Sequence, residues 1–216
     1  MTTAQLSLEH NLRPSSLKDK APLILMLHGY GSDENDLFSF ASYLPKEYTI
    51  VSAKAPYKLQ PFGNAWYAIN FDANQNKFSD IDQAIASREK IKVFITEVIS
   101  AYNIDKTNVT LLGFSQGTIL SFATALTYPE LVKNVIGLSG YIDKNMIEPK
   151  TEADYSHLNV YTSHGSMDQV IPVSWAQKTP GVLKSLNITH VYKEFPSAHG
   201  VSQDNFMSLL EWLSNH

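Results

Sequence analysis

The sequence predicts an α/β protein built on a mostly parallel central sheet with helices on both faces. Three observations carry that prediction. Strand-like and helix-like segments alternate along the chain, as strand–helix–strand crossovers require. Strand candidates such as PLILMLH (22–28) are apolar nearly throughout, as strands buried on both faces must be. No repeat, low-complexity tract or linker interrupts the 216 residues, so residues 1–216 are expected to form one domain.

Taken in order, LSLEHNLR (6–13) begins with an apolar/polar alternation that suits a half-exposed edge strand. The buried strand 22–28 comes next. DENDLFSFASYL, from Asp33 to Leu44, has acids in its first turn and apolar residues at helical spacing, which predicts a helix. YTIVSA (48–53) is a second buried strand. Residues 54–79 mix proline and glycine with Tyr57, Phe62, Trp66, Tyr67, Phe71 and Phe78. A connection this long without regular structure is usually functional or disordered, and this one is too aromatic for disorder.

Ser79 or Asp80 then caps a helix running to about Tyr102, with Ile81, Ile85, Ile91, Ile95 and Val98 on its inner stripe. NVTLLGF (108–114) is a strand, Gln116 to about Tyr128 a helix, and VIGLSG (135–140) a strand. NVYTSHG (159–165) is another, followed by a helix from about Pro172 to Leu186. THVYKEF (189–195) closes the set of strands, and the last helix covers Val201 to Leu213.

Composition removes several classes of function. The net charge is −4 and the 17 basic residues are scattered, which is not the clustered basic face of a nucleic-acid binder. There is no cysteine, so thiolate nucleophiles, disulfides and Cys-ligated metals are excluded. No HExxH, paired His-x-His or EF-hand spacing occurs, and no metal site is expected. MTTAQLSLEHNLRPSS lacks a basic start followed by a long apolar stretch, so no signal peptide is expected. The apolar run Leu23 to Leu27 is only five residues long. That is far below the ~20 needed to span a bilayer, and a cytoplasmic location follows as the expectation.

In open α/β sheets, functional groups gather beyond the carboxyl ends of the strands. The residues that follow the predicted strands are Gly29-Tyr30-Gly31, Ser115, Gly165-Ser-Met-Asp168 and Pro196-Ser-Ala-His199. Serine, aspartate and histidine thus emerge at one edge, in that chain order. Gly113-Phe-Ser-Gln-Gly117 is a G-x-S-x-G elbow between a buried strand and a helix, a turn that projects the serine above the sheet. Side chains at Gly113 and Gly117 would collide where strand and helix crowd together.

This arrangement assigns Ser115 as nucleophile, His199 as base and Asp168 as the acid orienting it. Asp143 is the rival acid, because it follows the 135–140 strand. Asp168 is preferred because its turn is short and Ile171-Pro172 fixes the start of the next helix. The backbone N–H groups of Gln116 and Tyr30 are the expected oxyanion donors. A dinucleotide fingerprint fails, because Glu34 stands where a third glycine would be needed after Gly29 and Gly31. His28 and His164, each ending a buried strand beside a glycine, are expected to hold loops by local hydrogen bonds.

His28-Gly-Tyr-Gly, Gly113-Phe-Ser-Gln-Gly, His164-Gly-Ser-Met-Asp168-Gln-Val-Ile-Pro172 and Ala198-His199-Gly together resemble the phospholipase/carboxylesterase family of α/β-hydrolases. The similarity runs from about residue 20 to the end. It implies an α/β-hydrolase fold without a large cap domain, and the same roles for Ser115, His199, Asp168, Tyr30 and Gln116. Ala65-Trp66-Tyr67-Ala68-Ile69 is similar to a family segment beside the acyl pocket. With the aromatic 54–79 connection, this makes Trp66, Tyr67 and Phe62 the expected substrate-binding residues, the alternative being that Trp66 and its neighbours merely cover the sheet. Ala68 stands where the family often has an acid.

The expected activity is cofactor-free hydrolysis of short- to medium-chain carboxylic esters, or thioesters, through an acyl-enzyme. The expected partner is a small acyl ester or thioester, with no nucleic acid and no stable membrane insertion. A homodimer is left open. The alternatives are a peptidase or amidase on the same three residues, or a non-catalytic binding module with this fold.

Overall fold

The computed structural model describes residues 3–71, 77–148, 150 and 153–216. The chain enters through strands β1 (His10–Arg13), β2 (Ala21–Leu27) and β3 (Thr49–Ala53). Two short hairpins follow, β4 (Tyr57–Lys58) with β5 (Asn64–Ala65) and β6 (Ile69–Phe71) with β7 (Lys77–Ser79). Strands β8 (Ile104–Phe114), β9 (Asn134–Leu138), β10 (Asn159–Gly165) and β11 (Thr189–Phe195) complete the count.

The seven-stranded sheet has the order β1-β3-β2-β8-β9-β10-β11. Within it only β1 is antiparallel to its neighbour. The mostly parallel sheet predicted from the sequence is therefore present, with β1 as the predicted edge strand. After β3 the chain returns across β2 to lay down β8 on its other side. The loops leaving β2 and β8 diverge there, and ligands of open α/β sheets bind at such a crevice.

Strand β2 shows why its sequence is apolar at successive positions. Leu23, Leu25 and Leu27 enter one core cluster, while Ile24 and Met26 enter the other. All five are fully buried, and each such burial contributes roughly 1.5–3 kcal/mol.

Helix α1 (Ile81–Ala101) covers the first face through Ala84, Ile91, Phe94, Ile95 and Val98. It starts where expected, because the Asp80 carboxylate accepts the Gln83 N–H at 3.0 Å. Helix α2 (Gln116–Thr127) packs beside it, buried at every residue, which explains its apolar sequence on all sides. Helices α3 (Val173–Ala176) and α4 (Thr179–Ser185) follow β10. Helix α5 (Gln203–Leu213), capped by Ser202, covers the second face through Leu209, Trp212 and Leu213.

Three segments differ from the expectations. The helix predicted over Asp33–Leu44 is a 3-10 helix, Leu37–Tyr43. The helix predicted from Pro172 to Leu186 is broken between α3 and α4, where Pro180 lacks the N–H a continuous helix would need. The 54–79 connection is not free of regular structure, since it forms the two hairpins; residues 72–76 lie outside the described residues. Among the described residues no helix is long and apolar enough to cross a membrane.

Candidate active site

Ser115 sits at the turn between β8 and α2 with φ 54° and ψ −115°, a region that side-chain-bearing residues rarely occupy. Its neighbours make the turn possible. A Cβ on Gly113 would lie 2.4 Å from the Gly117 backbone, and one on Gly117 would lie 1.8 Å from the Leu27 carbonyl oxygen. The predicted crowding is therefore present at both glycines, and no larger residue fits. Ser115 N–H donates to the Leu138 carbonyl at 2.9 Å. The Thr118 hydroxyl lies 2.7 Å from the carbonyl oxygens of both Gly113 and Leu138, tying the first turn of α2 to β8 and β9.

The three strand-end residues converge. His199 Nε2 lies 3.0 Å from Ser115 Oγ, and His199 Nδ1 lies 2.6 Å from Asp168 Oδ2. A carboxylate only accepts, so Nδ1 carries the proton and Nε2 presents its lone pair to the serine hydroxyl. The other carboxylate oxygen, Oδ1, accepts the N–H groups of Val170 and Ile171 at 2.8 and 2.9 Å. Burial draws the Asp168 carboxyl upward. The His199 contact and the two backbone N–H groups outweigh it and hold the group below the ordinary aspartate range. Asp143 instead accepts from Asn145 at the start of a 3-10 turn, at the cavity wall.

His164 is also fully buried beside Asp168. Its Nε2 lies 2.9 Å from the Ile171 carbonyl and 3.1 Å from Asp168 Oδ2. A carbonyl cannot donate, so this nitrogen carries the proton, while Nδ1 is buried without a partner. His28 is the counterpart on the opposite loop. It accepts the Ala55 N–H at Nε2 and donates from Nδ1 to Gly29 O. Burial lowers its proton affinity, against the pull of the Gly29 carbonyl. Both histidines make the loop-holding hydrogen bonds expected of them.

Tyr30 and Gln116 both line the cavity beside Ser115. Gln116 opens α2, so its N–H is one of the donors left without a carbonyl by the helix geometry. Its side chain is engaged elsewhere, accepting the Trp66 N–H at 3.0 Å and donating to Tyr67 O at 2.7 Å.

The cavity holds about 650 Å³. Ile69 and Phe78 of the second hairpin, Tyr67, Ile81, Phe114 and Ile119 supply apolar wall, and Tyr141 and Trp175 also line the cavity. Burial raises the Tyr67 hydroxyl strongly and pushes Tyr141 up to about 12, with the Asp143 charge adding to both.

Of the aromatic residues expected to bind substrate, Tyr67 lines this cavity and the other two do not. Trp66 is completely buried: its Nε1–H donates to His28 O at 2.9 Å, and its own carbonyl accepts from Ser87 Oγ. Trp66 thus braces the His28 loop, while its neighbour Tyr67 reaches the cavity. Phe62 is 77 % exposed beside the turn joining β4 and β5, away from the cavity. The sequence reading missed Tyr141, although it follows β9 at the same sheet edge. It also missed Trp175, which follows β10 only after a longer loop.

Residues 14–216 match the model of the phospholipase/carboxylesterase family. Acyl-protein thioesterase 1 of Kluyveromyces lactis is 26 % identical over 208 residues, covering 89 % of this chain and 90 % of that protein. Acyl-protein thioesterase 1 of Candida albicans is 23 % identical over 223 residues, covering 94 % and 95 %. Among solved structures, the esterase PE8 superposes with a TM-score of 0.85 at 24 % identity, over 97 % of this chain and 99 % of that one. The Bacillus cereus carboxylesterase gives 0.82 at 18 % identity, over 97 % and 94 %. These two structural likenesses speak for the fold.

Proposed function

The chain belongs to the phospholipase/carboxylesterase family of α/β-hydrolases, and from that premise we propose that it hydrolyses carboxylic esters and thioesters of short to medium acyl chains through Ser115, His199 and Asp168. The observation that carries this reading is a single imidazole bridging a strained serine hydroxyl at 3.0 Å and a carboxylate at 2.6 Å inside an apolar cavity.

Ser115 Oγ attacks the acyl carbon as its proton passes to His199 Nε2. Asp168 holds the ring in the tautomer that can accept that proton and stabilises the imidazolium. The oxyanion takes hydrogen bonds from the backbone N–H groups of Tyr30 and Gln116. Loss of one such donor typically costs about 2.7–4 kcal/mol of transition-state stabilisation. The intermediate collapses, the C–O or C–S bond breaks, and His199 returns the proton to the leaving alcohol or thiol. Water then attacks the acyl-serine, gives its proton to the same nitrogen, and releases the carboxylic acid while Ser115 regains its hydroxyl. Water is the only co-reactant. Ile69, Phe78, Ile119 and Tyr67 supply the apolar wall for the acyl chain.

A fluorophosphonate probe should label the wild type at Ser115, and Ser115→Ala should neither be labelled nor hydrolyse p-nitrophenyl butyrate. Retention of more than a few per cent of the activity by a folded Ser115→Ala variant would place the nucleophile elsewhere.

A further inference from the structure

The charge around the cavity is one-sided. Among the described residues that line it, Asp36 and Asp143 are acids, and none is a lysine or arginine. Asp36 is exposed and accepts from the Ser32 hydroxyl. Asp143 is half-buried, and its field reaches the hydroxyls of both Tyr141 and Tyr67. Lys144 and Lys178 flank this wall. They are exposed and line an adjoining cleft that has Tyr141, Asp143 and Trp175 as a common wall with the cavity. Among the described residues neither forms an ion pair with Asp143. Charges exposed in that way are screened by water and salt, whereas a carboxylate on the wall of an apolar cavity is screened less.

The same wall is aromatic. The rings of Tyr141 and Trp175 meet edge to face, 5.1 Å between centroids and 75° between planes. Trp175 remains 45 % exposed, so this wall opens toward solvent. Aromatic faces attract cations through their quadrupole, and a neighbouring carboxylate reinforces the preference. Ile69, Phe78, Ile81 and Ile119 elsewhere in the lining are uncharged and suit an acyl chain. The half-open Tyr141–Asp143–Trp175 wall suits the group that leaves.

We propose that this wall makes the enzyme select by the charge of the leaving group, turning over esters and thioesters of cationic alcohols or thiols in preference to matched anionic ones. The inference rests on the hydrolytic reading of Ser115. A quaternary or primary ammonium would sit against Tyr141 and Trp175 beside the Asp143 carboxylate. A carboxylate or phosphate there would meet Asp143, and no lysine or arginine among the described lining residues would receive it. Like charges disfavour both binding and approach.

Three thioesters with one acyl group test this: S-butyrylthiocholine, S-ethyl thiobutyrate and S-butyryl-3-mercaptopropionate, bearing positive, neutral and negative leaving groups. Thiol release is followed with a disulfide reagent, and the readout is the ratio of kcat/KM for the cationic over the anionic substrate. The ratio should be about tenfold or more at low ionic strength, with the neutral thioester between. It should shrink toward one in about 0.5 M salt, where the screening length is only a few ångströms. Asp143→Asn should lower the ratio by about three- to tenfold, and Asp143→Glu, which keeps the charge, should preserve most of it. If Asp143→Asn does not fold, Trp175→Leu reads the same wall by removing its aromatic face, and the ratio should again fall.

A wild-type ratio at or below one overturns the proposal. So does a ratio unmoved by both salt and a folded Asp143→Asn variant. Those outcomes leave the hydrolytic reading intact as long as the neutral thioester is cleaved. Failure to cleave any of the three, together with no fluorophosphonate labelling of Ser115, would remove that reading and this one with it.

Discussion

Ser115 departs from the extended and helical backbone regions, and a residue held in so sparse a region costs about 1–3 kcal/mol that surrounding packing must offset. The Thr118 hydroxyl and the close contact of Gly117 with Leu27 provide that restraint. Asp168 is restrained as closely, with one carboxylate oxygen held by two backbone N–H groups and the other facing two imidazoles. Asp168→Asn should lower kcat by several orders of magnitude while the enzyme still folds, because an amide at that site favours the wrong tautomer of His199. The depressed carboxyl also has a consequence for stability. A group whose folded-state pKa lies below its unfolded value stabilises the fold fully above the ordinary aspartate range. That contribution is lost as pH falls through the lower, folded-state value. The urea-midpoint advantage of wild type over Asp168→Asn should therefore be larger at pH 7 than at about pH 3. An equal or larger advantage in acid would show that this carboxylate does not stabilise the fold. Ser115, Asp168 and His199 were legible in the sequence because each follows, at once or after a short turn, a strand whose direction fixes where it emerges. Trp66 and Phe62 were not placed correctly, because composition reveals aromatic content but not the side of the backbone each ring takes.

At the scale of elements, the 3-10 helix at Leu37–Tyr43 is held from outside its own sequence. Arg13, on edge strand β1, donates to the carbonyls of Ala41, Leu44, Pro45 and Tyr48. The guanidinium thereby places a charged donor on carbonyls at the close of the helix and the turn after it, where the Pro45 carbonyl also takes the Tyr48 N–H at 3.3 Å. The apolar spacing of DENDLFSFASYL announced a helical segment, but a partner about 28 to 35 residues away was invisible to any local reading. Arg13→Leu should destabilise the protein by about 2–3 kcal/mol, since hydrogen bonds to charged groups contribute about 1.5–3 kcal/mol and the carbonyls lose their donor. Urea unfolding measures this, and a midpoint within error of wild type would mean that water replaces the guanidinium at no cost. The break between α3 and α4 was legible in principle. Pro180 lies inside the segment predicted as one helix, and its missing N–H was the available signal.

Across the whole molecule, the sheet order was only partly legible. Alternating segments imply parallel strands, yet nothing local states that β8 lies beside β2 rather than beside β3. That return places the 29–31 loop against the Ser115 elbow and brings the residues after β9, β10 and β11 to the same edge. One outcome of this arrangement is optical. The chain has three tryptophans, and the fold distributes them among unlike environments. Trp66 is sealed inside one core, Trp212 is 7 % exposed in the core of the opposite face, and Trp175 is 45 % exposed at the cavity mouth. A water-soluble quencher such as iodide should therefore extinguish one fluorescence component and leave the remainder. Filling the cavity with a reversible inhibitor such as a butyl boronate should shield that component. Trp175→Phe should lose the quenchable emission along with the shielding, and if it kept both, the accessible indole would have to be another. The protein thus carries its own indicator of cavity occupancy, readable without a chromogenic product.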